Sequence, residues 1–481
     1  MIRPGLIIGY LGKIVLIIGI AMLTGAGWSL YFGEDEVWRF LAAAGITIAA
    51  GGLASFTQRG ENQINYREGF AIVTLGWLTA SVFGSLPYLF SGYCPSFADA
   101  FFETVSGFTT TGSSVFGDVE ALPKGLLWWR ALTQWLGGMG ILALFIAIMS
   151  NLGPSANLMF KAESPGPSPA KVTPRIKQTA KNLWQIYVVI SAVMAVILYA
   201  FGMDIFDSLC HMFGAMSTGG FSTKNNSMAY FSSPYIQWTI TVFMFISGTN
   251  FALHYFALRN HTLEVYRRNS EFKLYAFIVL GASAIVSIGI ISSYSGFEPV
   301  VRTAFFQVVS IITTTGFISD DYDQWSQLAQ GVIWGIILMG GCAGSTTGGI
   351  KLGRLLILGK RAAIEIKRMI HPRAVYSVRI DDKIYSEALV GNIAFFFFLY
   401  IMCIIIGTFA MFICNLDMVS GLSAVMTCLG NVGPGFGLVG PTKNFGFLSD
   451  GAKYILSLLM LLGRLEIYPI LVMLIPQFWK E

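Results

Sequence analysis

Long apolar runs occur along the chain at 5–32, 38–56, 69–91, 123–150, 183–203, 234–258, 274–296, 329–359, 386–414 and 450–478. A membrane-crossing helix needs about 20 residues of this character, so the pattern predicts ten spans. Shorter semi-apolar runs lie between some of them, at 96–108, 204–216, 299–312 and 416–429. These are too short to cross a bilayer and suit re-entrant half-helices. Each ends in a small, glycine-containing knot: TTTGSS (109–114), STGGFS (217–222), TTTGFI (313–318) and GNVGPG (430–435).

After residue 68 the order is therefore long helix, half-helix, knot, long helix, four times over. Placing Gly112, Gly219, Gly316 and Gly433 in one column gives spacings of 107, 97 and 117 residues, a repeat of roughly 100. The expected division is two helices outside the repeat (1–68), then four repeats at 69–160, 161–272, 273–384 and 385–481. The fold class expected is an all-α integral membrane protein with four pseudo-symmetric repeats around one path.

Composition agrees: 54% of residues are hydrophobic and 12% charged, against about 25% charged in soluble domains. Charge placement then orients the spans. With the N-terminus inside, the inner segments hold 22 basic and 10 acidic residues, and the outer segments 7 and 15. Lys13, Arg464 and Glu466 fall inside spans and complete the totals of 31 and 26. This bias follows the positive-inside rule, with both termini cytoplasmic. It accounts for the net charge of +5 without a nucleic-acid partner. The partner it implies is the lipid bilayer.

Non-helical backbone at membrane depth is costly unless it is buried in protein or lines a watery path. Small residues and threonine also serve close helix packing, but four knots, each behind a non-spanning run, favour a shared path. A ring of backbone carbonyls can replace the hydration shell of K⁺. Glycine lets neighbouring peptides turn inward because it tolerates positive φ. The candidate filter residues are Thr110, Thr111, Gly112, Thr218, Gly219, Thr314, Thr315, Gly316, Asn431, Val432 and Gly433. The half-helix C-termini would direct partial negative charge at the path. Glu103, Asp118, Asp320, Asp321 and Asp323 are candidates for concentrating cations outside it, or are ordinary loop charges.

A second candidate site is the glycine-rich MGGCAGSTTGGIK (339–351) inside the span at 329–359. Glycine costs about 1 kcal/mol per helix position, so this segment is expected to unwind beneath the filter. The residues that would line the path there are Gly340, Gly341, Gly344, Ser345, Thr346, Thr347, Gly348 and Gly349. WLGGMG (135–140), FISGTN (245–250) and LLGRLE (461–466) stand at corresponding places. Arg464 is an arginine at membrane depth, a functional position by default. It could bond the loop carbonyls and close the path. Glu466 is a poor direct partner for it, because residues two apart on a helix do not face each other.

The fourfold pattern with one glycine per knot resembles the Trk/Ktr/HKT superfamily of potassium transporters, over essentially the whole chain. The two extra N-terminal spans make it most similar to the Trk-type membrane subunit. The resemblance implies a K⁺-selective pore in one chain, K⁺ as the transported ion, no cofactor in this chain, and an intramembrane gating loop at 339–351. It also implies a homodimer and a cytoplasmic TrkA-type nucleotide-binding regulatory subunit. In plant members a serine at the first filter position accompanies sodium transport; Gly112 stands there in this chain, which favours potassium. The fourth knot departs from the threonine pattern and lacks its hydroxyls. Basic inner segments at 171–181, 259–273 and 360–383 could dock a regulator, although the positive-inside bias explains them equally well. Two alternatives come from other classes. One is a cation-coupled secondary transporter with a midplane site between broken helices. The other is a membrane enzyme, disfavoured by four scattered histidines with no metal-ligand spacing.

Overall fold

The computed structural model describes residues 2–58, 64–140, 176–381 and 383–480. Twenty α-helices and one two-stranded hairpin follow along these residues. Helices α1 (Pro4–Phe32) and α2 (Glu36–Ser55) pair outside the repeats. Glycine faces let them approach closely: a Cβ on Gly12 would lie 2.5 Å from the Ser55 nitrogen, the small-residue contact common between membrane helices. Lys13 reaches Gln58 beyond the end of α2, at 2.5 Å.

Taken by the expected repeats, the first, called repeat one below and the others likewise, holds α3 (Tyr66–Gly84), α4 (Leu86–Ser91), α5 (Phe97–Phe108) and α6 (Lys124–Gly138). Repeat two holds α7 (Ile176–Ala200), α8 (Ile205–Met216), α9 (Pro234–Ser247), α10 (Phe251–Asn260) and α11 (Glu264–Arg268). Repeat three holds α12 (Ser270–Ile290), α13 (Phe297–Ile312), α14 (Gln327–Ile336) and α15 (Leu352–Ile370), then the hairpin β1 (Val378–Ile380) and β2 (Lys383–Tyr385). Repeat four holds α16 (Glu387–Ile413), α17 (Met418–Gly430), α18 (Asp450–Arg464), α19 (Tyr468–Leu474) and α20 (Pro476–Trp479).

The chain is a multi-pass membrane protein. Among the described residues six helices are long and apolar enough to cross, and two pairs bent by 96° (α9–α10) and 116° (α18–α19) could each make one more. The remaining two expected spans are those at 123–150 and 329–359. The run at 123–150 is described only as far as α6, and 141–150 lies outside the described residues, as do 151–175. The run at 329–359 is two helices with the glycine segment between them. The bend in repeat four is local and strained. Glu466 and Ile467 both have positive φ, 56° and 67°, an outlying conformation for a β-branched residue.

The four half-helices are α5, α8, α13 and α17. They begin on side-chain caps in three cases: Ser96 Oγ accepts from Asp99 N, Asp204 from Asp207 N, and Asp417 from Ser420 N. Such caps satisfy helix-end donors. Every residue of α5 from Ala98 to Phe108 is buried. A short helix buried all round is held by neighbouring helices rather than by lipid.

Candidate functional site

All four half-helices end the same way. One residue just past each helix, two beyond its end in the first three and one beyond it in the fourth, turns left-handed: Thr110 (φ 56°), Thr218 (56°), Thr314 (53°) and Asn431 (54°). The next amide then bonds back five residues, Thr111 N to Ser106 O, Gly219 N to Gly214 O, Thr315 N to Ser310 O and Val432 N to Thr427 O, each at 2.8 Å. This is a Schellman ending, which satisfies orphan carbonyls of the last turn. It is built on threonine in three repeats, where glycine is the unstrained choice. Backbone strain of this kind, on the order of 1–3 kcal/mol per residue, persists at functional sites.

The ending fixes which glycines correspond. Two positions after the left-handed residue come Gly112 (φ 83°), Gly220 (77°), Gly316 (77°) and Gly433 (97°). The second repeat therefore contributes Gly220 to this column, and Gly219 stands instead beside Thr111, Thr315 and Val432. This corrects the register expected from the sequence by one residue.

These two columns close into a ring. A Cβ on Gly112 would lie 2.2 Å from the Gly219 oxygen, on Gly220 1.9 Å from Thr315 O, on Gly316 2.1 Å from Val432 O, and on Gly433 2.5 Å from Thr111 O. Each repeat thus touches the next in chain order, and the fourth returns to the first. All four glycines line one cavity of about 120 Å³. In repeats one and three, hydroxyl pairs brace the knot: Thr109 Oγ1 to Thr111 Oγ1 and Thr313 Oγ1 to Thr315 Oγ1, both 2.8 Å. In repeat four Asn431 Nδ2 donates to Thr111 Oγ1 and to Met460 O, both at 3.0 Å. A side-chain amide tied to repeat one there replaces the missing hydroxyls.

The expected cation-concentrating carboxylates are elsewhere. Glu103 is fully buried and paired with Arg130 at 2.8 Å. It also accepts from Ser114 Oγ and Val115 N, while Arg130 donates to Ser222 O across the repeat boundary at 3.2 Å. Their pairing buttresses the outer limbs of the first two knots. The structure gives Glu103 this supporting position rather than an outward-facing one. Asp118 is tied into an outer loop, where the Asn225 amide holds its carboxyl below the usual range. Asp320 accepts from Trp325 Nε1, Asp321 from Asp323 N, and Asp323 from Gly437 N. Among the described residues the cavity lining includes Arg130, Lys224 and Lys443 but no carboxylate. Breaking the buried pair should be expensive. Arg130→Met would leave Glu103 buried without its counter-charge, at a cost of about 3–5 kcal/mol. Thermal unfolding in detergent should show a large drop, partly reversed by adding Glu103→Gln.

Beneath the ring lies the segment between α14 and α15. A parallel bridge from Met339 to Ile350 closes its base, with Gly340 N donating to Ile350 O at 2.9 Å. Only glycine fits at Gly340, where a Cβ would meet Gly348 O at 2.1 Å. Gly341 N bonds Thr347 Oγ1, and Ser345 Oγ lies 2.8 Å from the same hydroxyl. The carbonyl of Gly344 accepts from Phe251 N at 3.0 Å, and Gly349 has φ 63°.

This loop is seated directly against the knots. Gly348 N donates to Thr314 Oγ1 at 2.8 Å, and Thr346 Oγ1 lies 3.3 Å from Thr218 Oγ1. A Cβ on Gly348 would lie 2.4 Å from Gly430 O. Arg464 ties the arrangement together. Its guanidinium donates to Thr346 O at 2.8 Å, and to Gly137 O and Gly138 O at 2.6 and 2.7 Å. Glu466 pairs with Arg354 instead.

Several members of the site carry no local sequence signal. Glu271 ties the interior of the loop to the helix that follows it, accepting from Ala343 N at 2.7 Å and from Gly353 N in α15 at 2.8 Å. Lys351 Nζ donates to Thr347 Oγ1 at 2.8 Å and to Gly348 O at 3.3 Å. Gln134 bonds the second knot. Arg130 and Lys351 carry a faint signal, as charges within the runs at 123–150 and 329–359 that lie near enough to the run ends to be counted with the flanking segments.

Four re-entrant half-helices presenting backbone carbonyls in a closed ring, within apolar spans, define a membrane protein of the cation-transporting class. The chain belongs to the TrkH family, described as "Cation transport protein", whose model matches residues 37–287 and 277–480. The Trk system potassium uptake protein TrkH of Escherichia coli (strain K12) is 37% identical over 476 residues, 98% of each chain. The protein of that name from Halomonas elongata is 36% identical over 481 residues, 99% of each. The crystal structure of the potassium transporter TrkH from Vibrio parahaemolyticus matches with a TM-score of 0.89, at 34% identity, over 100% of both chains.

Proposed function

We propose that this chain carries K⁺ into the cell through one pore on the axis of the four knots. The observation that carries the reading is the closed ring of Thr111, Gly219, Thr315 and Val432 carbonyls against positive-φ glycines. Rings of backbone carbonyls suit dehydrated K⁺. The relatives named as potassium uptake proteins support the same ion. In this reading the filter comprises Thr110, Thr111, Gly112, Thr218, Gly219, Gly220, Thr314, Thr315, Gly316, Asn431, Val432 and Gly433. The chain crosses the cytoplasmic membrane ten times, with both termini inside, as the charge bias supports.

The loop at 339–351 acts as the gate, with Arg464 as its latch. Its contacts with Thr218, Thr314 and Gly430 O support a closed position directly below the filter. A cytoplasmic nucleotide-binding partner of TrkA type would release it, and the chain would work as a homodimer. The "Trk system" in the relatives' names supports a multi-component assembly. Glu271→Ala should raise uptake in the absence of any regulator about tenfold, because it frees the Ala343 and Gly353 backbone donors that tie the loop to α15. Unchanged flux in a folded variant would show that Glu271 does not hold the closed loop.

Rubidium uptake into liposomes holding the purified chain tests the reading. Competition by K⁺ but weakly by Na⁺ is the expected result. Uptake blocked equally by both ions would contradict a K⁺-selective filter.

A further inference from the structure

The ring has four members, but their support differs. Repeats one and three brace the knot with paired threonine hydroxyls. In repeat two the same positions are Ser217 and Gly219, and glycine has no hydroxyl to offer. A side chain from another element takes that place. Gln134, fully buried in α6, donates Nε2–H to the Gly219 oxygen at 2.6 Å and accepts from Phe221 N–H through Oε1 at 3.0 Å. A backbone amide can only donate, so Phe221 fixes which end of the carboxamide faces Gly219. The fit is close: a Cβ on Gly219 would lie 2.5 Å from Gln134 Cδ.

We propose that Gln134 is a positioning residue for the ion filter, setting where the Gly219 carbonyl stands and thereby the preference for K⁺ over Na⁺. The proposal rests on the pore reading above. The Gly219 oxygen belongs to the ring, 2.2 Å from where a Gly112 Cβ would be. One of its lone pairs is shared with an N–H. Among the described residues no such donor reaches the Thr111, Thr315 or Val432 oxygen. Gly219 therefore supplies the carbonyl whose position is most constrained and whose field toward an ion is offset by the N–H beside it. Selectivity depends on the number, field strength and placement of such carbonyls, so a change at one alters the preference. Arg130 and His211 bond Ser222 on the outer limb of the same knot. Neither touches Gly219.

Two variants separate positioning from mere structural support. Gln134→Met keeps the length and removes the donor. Gln134→Glu makes the donor depend on protonation. A neutral carboxylic acid can donate to Gly219 O while accepting from Phe221 N–H; an ionised one turns only acceptors toward that carbonyl. The readout is the K⁺ over Na⁺ competition ratio for rubidium uptake in liposomes. The Met variant should show a ratio lowered about tenfold at every pH, the scale of one lost buried hydrogen bond. The Glu variant should be near wild type at about pH 5 and fall reversibly toward the Met value by about pH 8.5. Wild type over the same range controls for titration of His211, Glu103 and other groups around the knot. A wild-type ratio in both variants at every pH would overturn the proposal. If the Met variant does not fold, a flat wild-type profile in the Glu variant overturns it alone. Absence of K⁺ preference in wild type itself would instead sink the pore reading.

Discussion

Gly220→Ala is expected to abolish K⁺-selective uptake, while Gly219→Ala weakens it. The two glycines are adjacent, and the structure gives them different tasks. Gly220 has φ 77°, a left-handed conformation that costs an L-residue roughly 1–2 kcal/mol. Its new Cβ would also stand 1.9 Å from Thr315 O, a backbone atom of the neighbouring repeat. The ring must open to admit it. At Gly219 the obstruction is the Gln134 carboxamide, 2.5 Å away, a side chain that can withdraw at the cost of its hydrogen bonds. The expected losses are about 100-fold or more for Gly220→Ala and about tenfold for Gly219→Ala, from overpacking of a backbone site against a side-chain site. Rubidium uptake at matched protein levels measures both. Equal losses, or the larger loss at Gly219, would restore the register read from the sequence.

Arg464→Ala is expected to raise flux in the absence of any regulator. The guanidinium makes three bonds to backbone carbonyls of two different repeats. Charge-assisted bonds are the strong ones, near twice the neutral value. Arg464 also places a positive charge beside a cation path. Removing it should unlatch Thr346 and lift the electrostatic barrier together. The expected rise is about 100-fold, larger than for Glu271→Ala, since 1.4 kcal/mol corresponds to tenfold. Arg464→Lys should lie between, because an ammonium lacks the planar fork that reaches Thr346 O and Gly137 O together. A folded Ala variant with unchanged or lower basal flux would remove Arg464 from the gate.

Much of this architecture was legible because membranes impose lengths. Runs of about 12 residues cannot cross a bilayer, so 96–108, 204–216, 299–312 and 416–429 read as half-helices and are helical in the structure. Glycine density marked the break in the span at 329–359. The choice between Gly219 and Gly220 was not legible. Both tolerate any backbone angle, and only the folded ending, with its φ of 77° at Gly220 and the approach of Thr315 O, decides which one needs it. The place of Glu103 failed for a similar reason. A carboxylate in an outer half-helix looks solvated until Arg130, 27 residues on, is seen to bury against it. Gln134 lies 85 residues from Gly219 and Glu271 lies 72 from Ala343. Contacts at such separations leave no period or motif behind.

If the four knots form one cation site, heavy analogues of K⁺ should gather there. Thallium or rubidium, introduced into crystals of the protein in place of K⁺, would locate it by anomalous scattering. The account predicts a peak on the axis enclosed by the carbonyls of Thr111, Gly219, Thr315 and Val432, displaced by excess K⁺ and missing in Gly220→Ala. A strong, K⁺-displaceable peak away from that ring, between the broken halves of α9–α10 or α18–α19 with the ring empty, would contradict it.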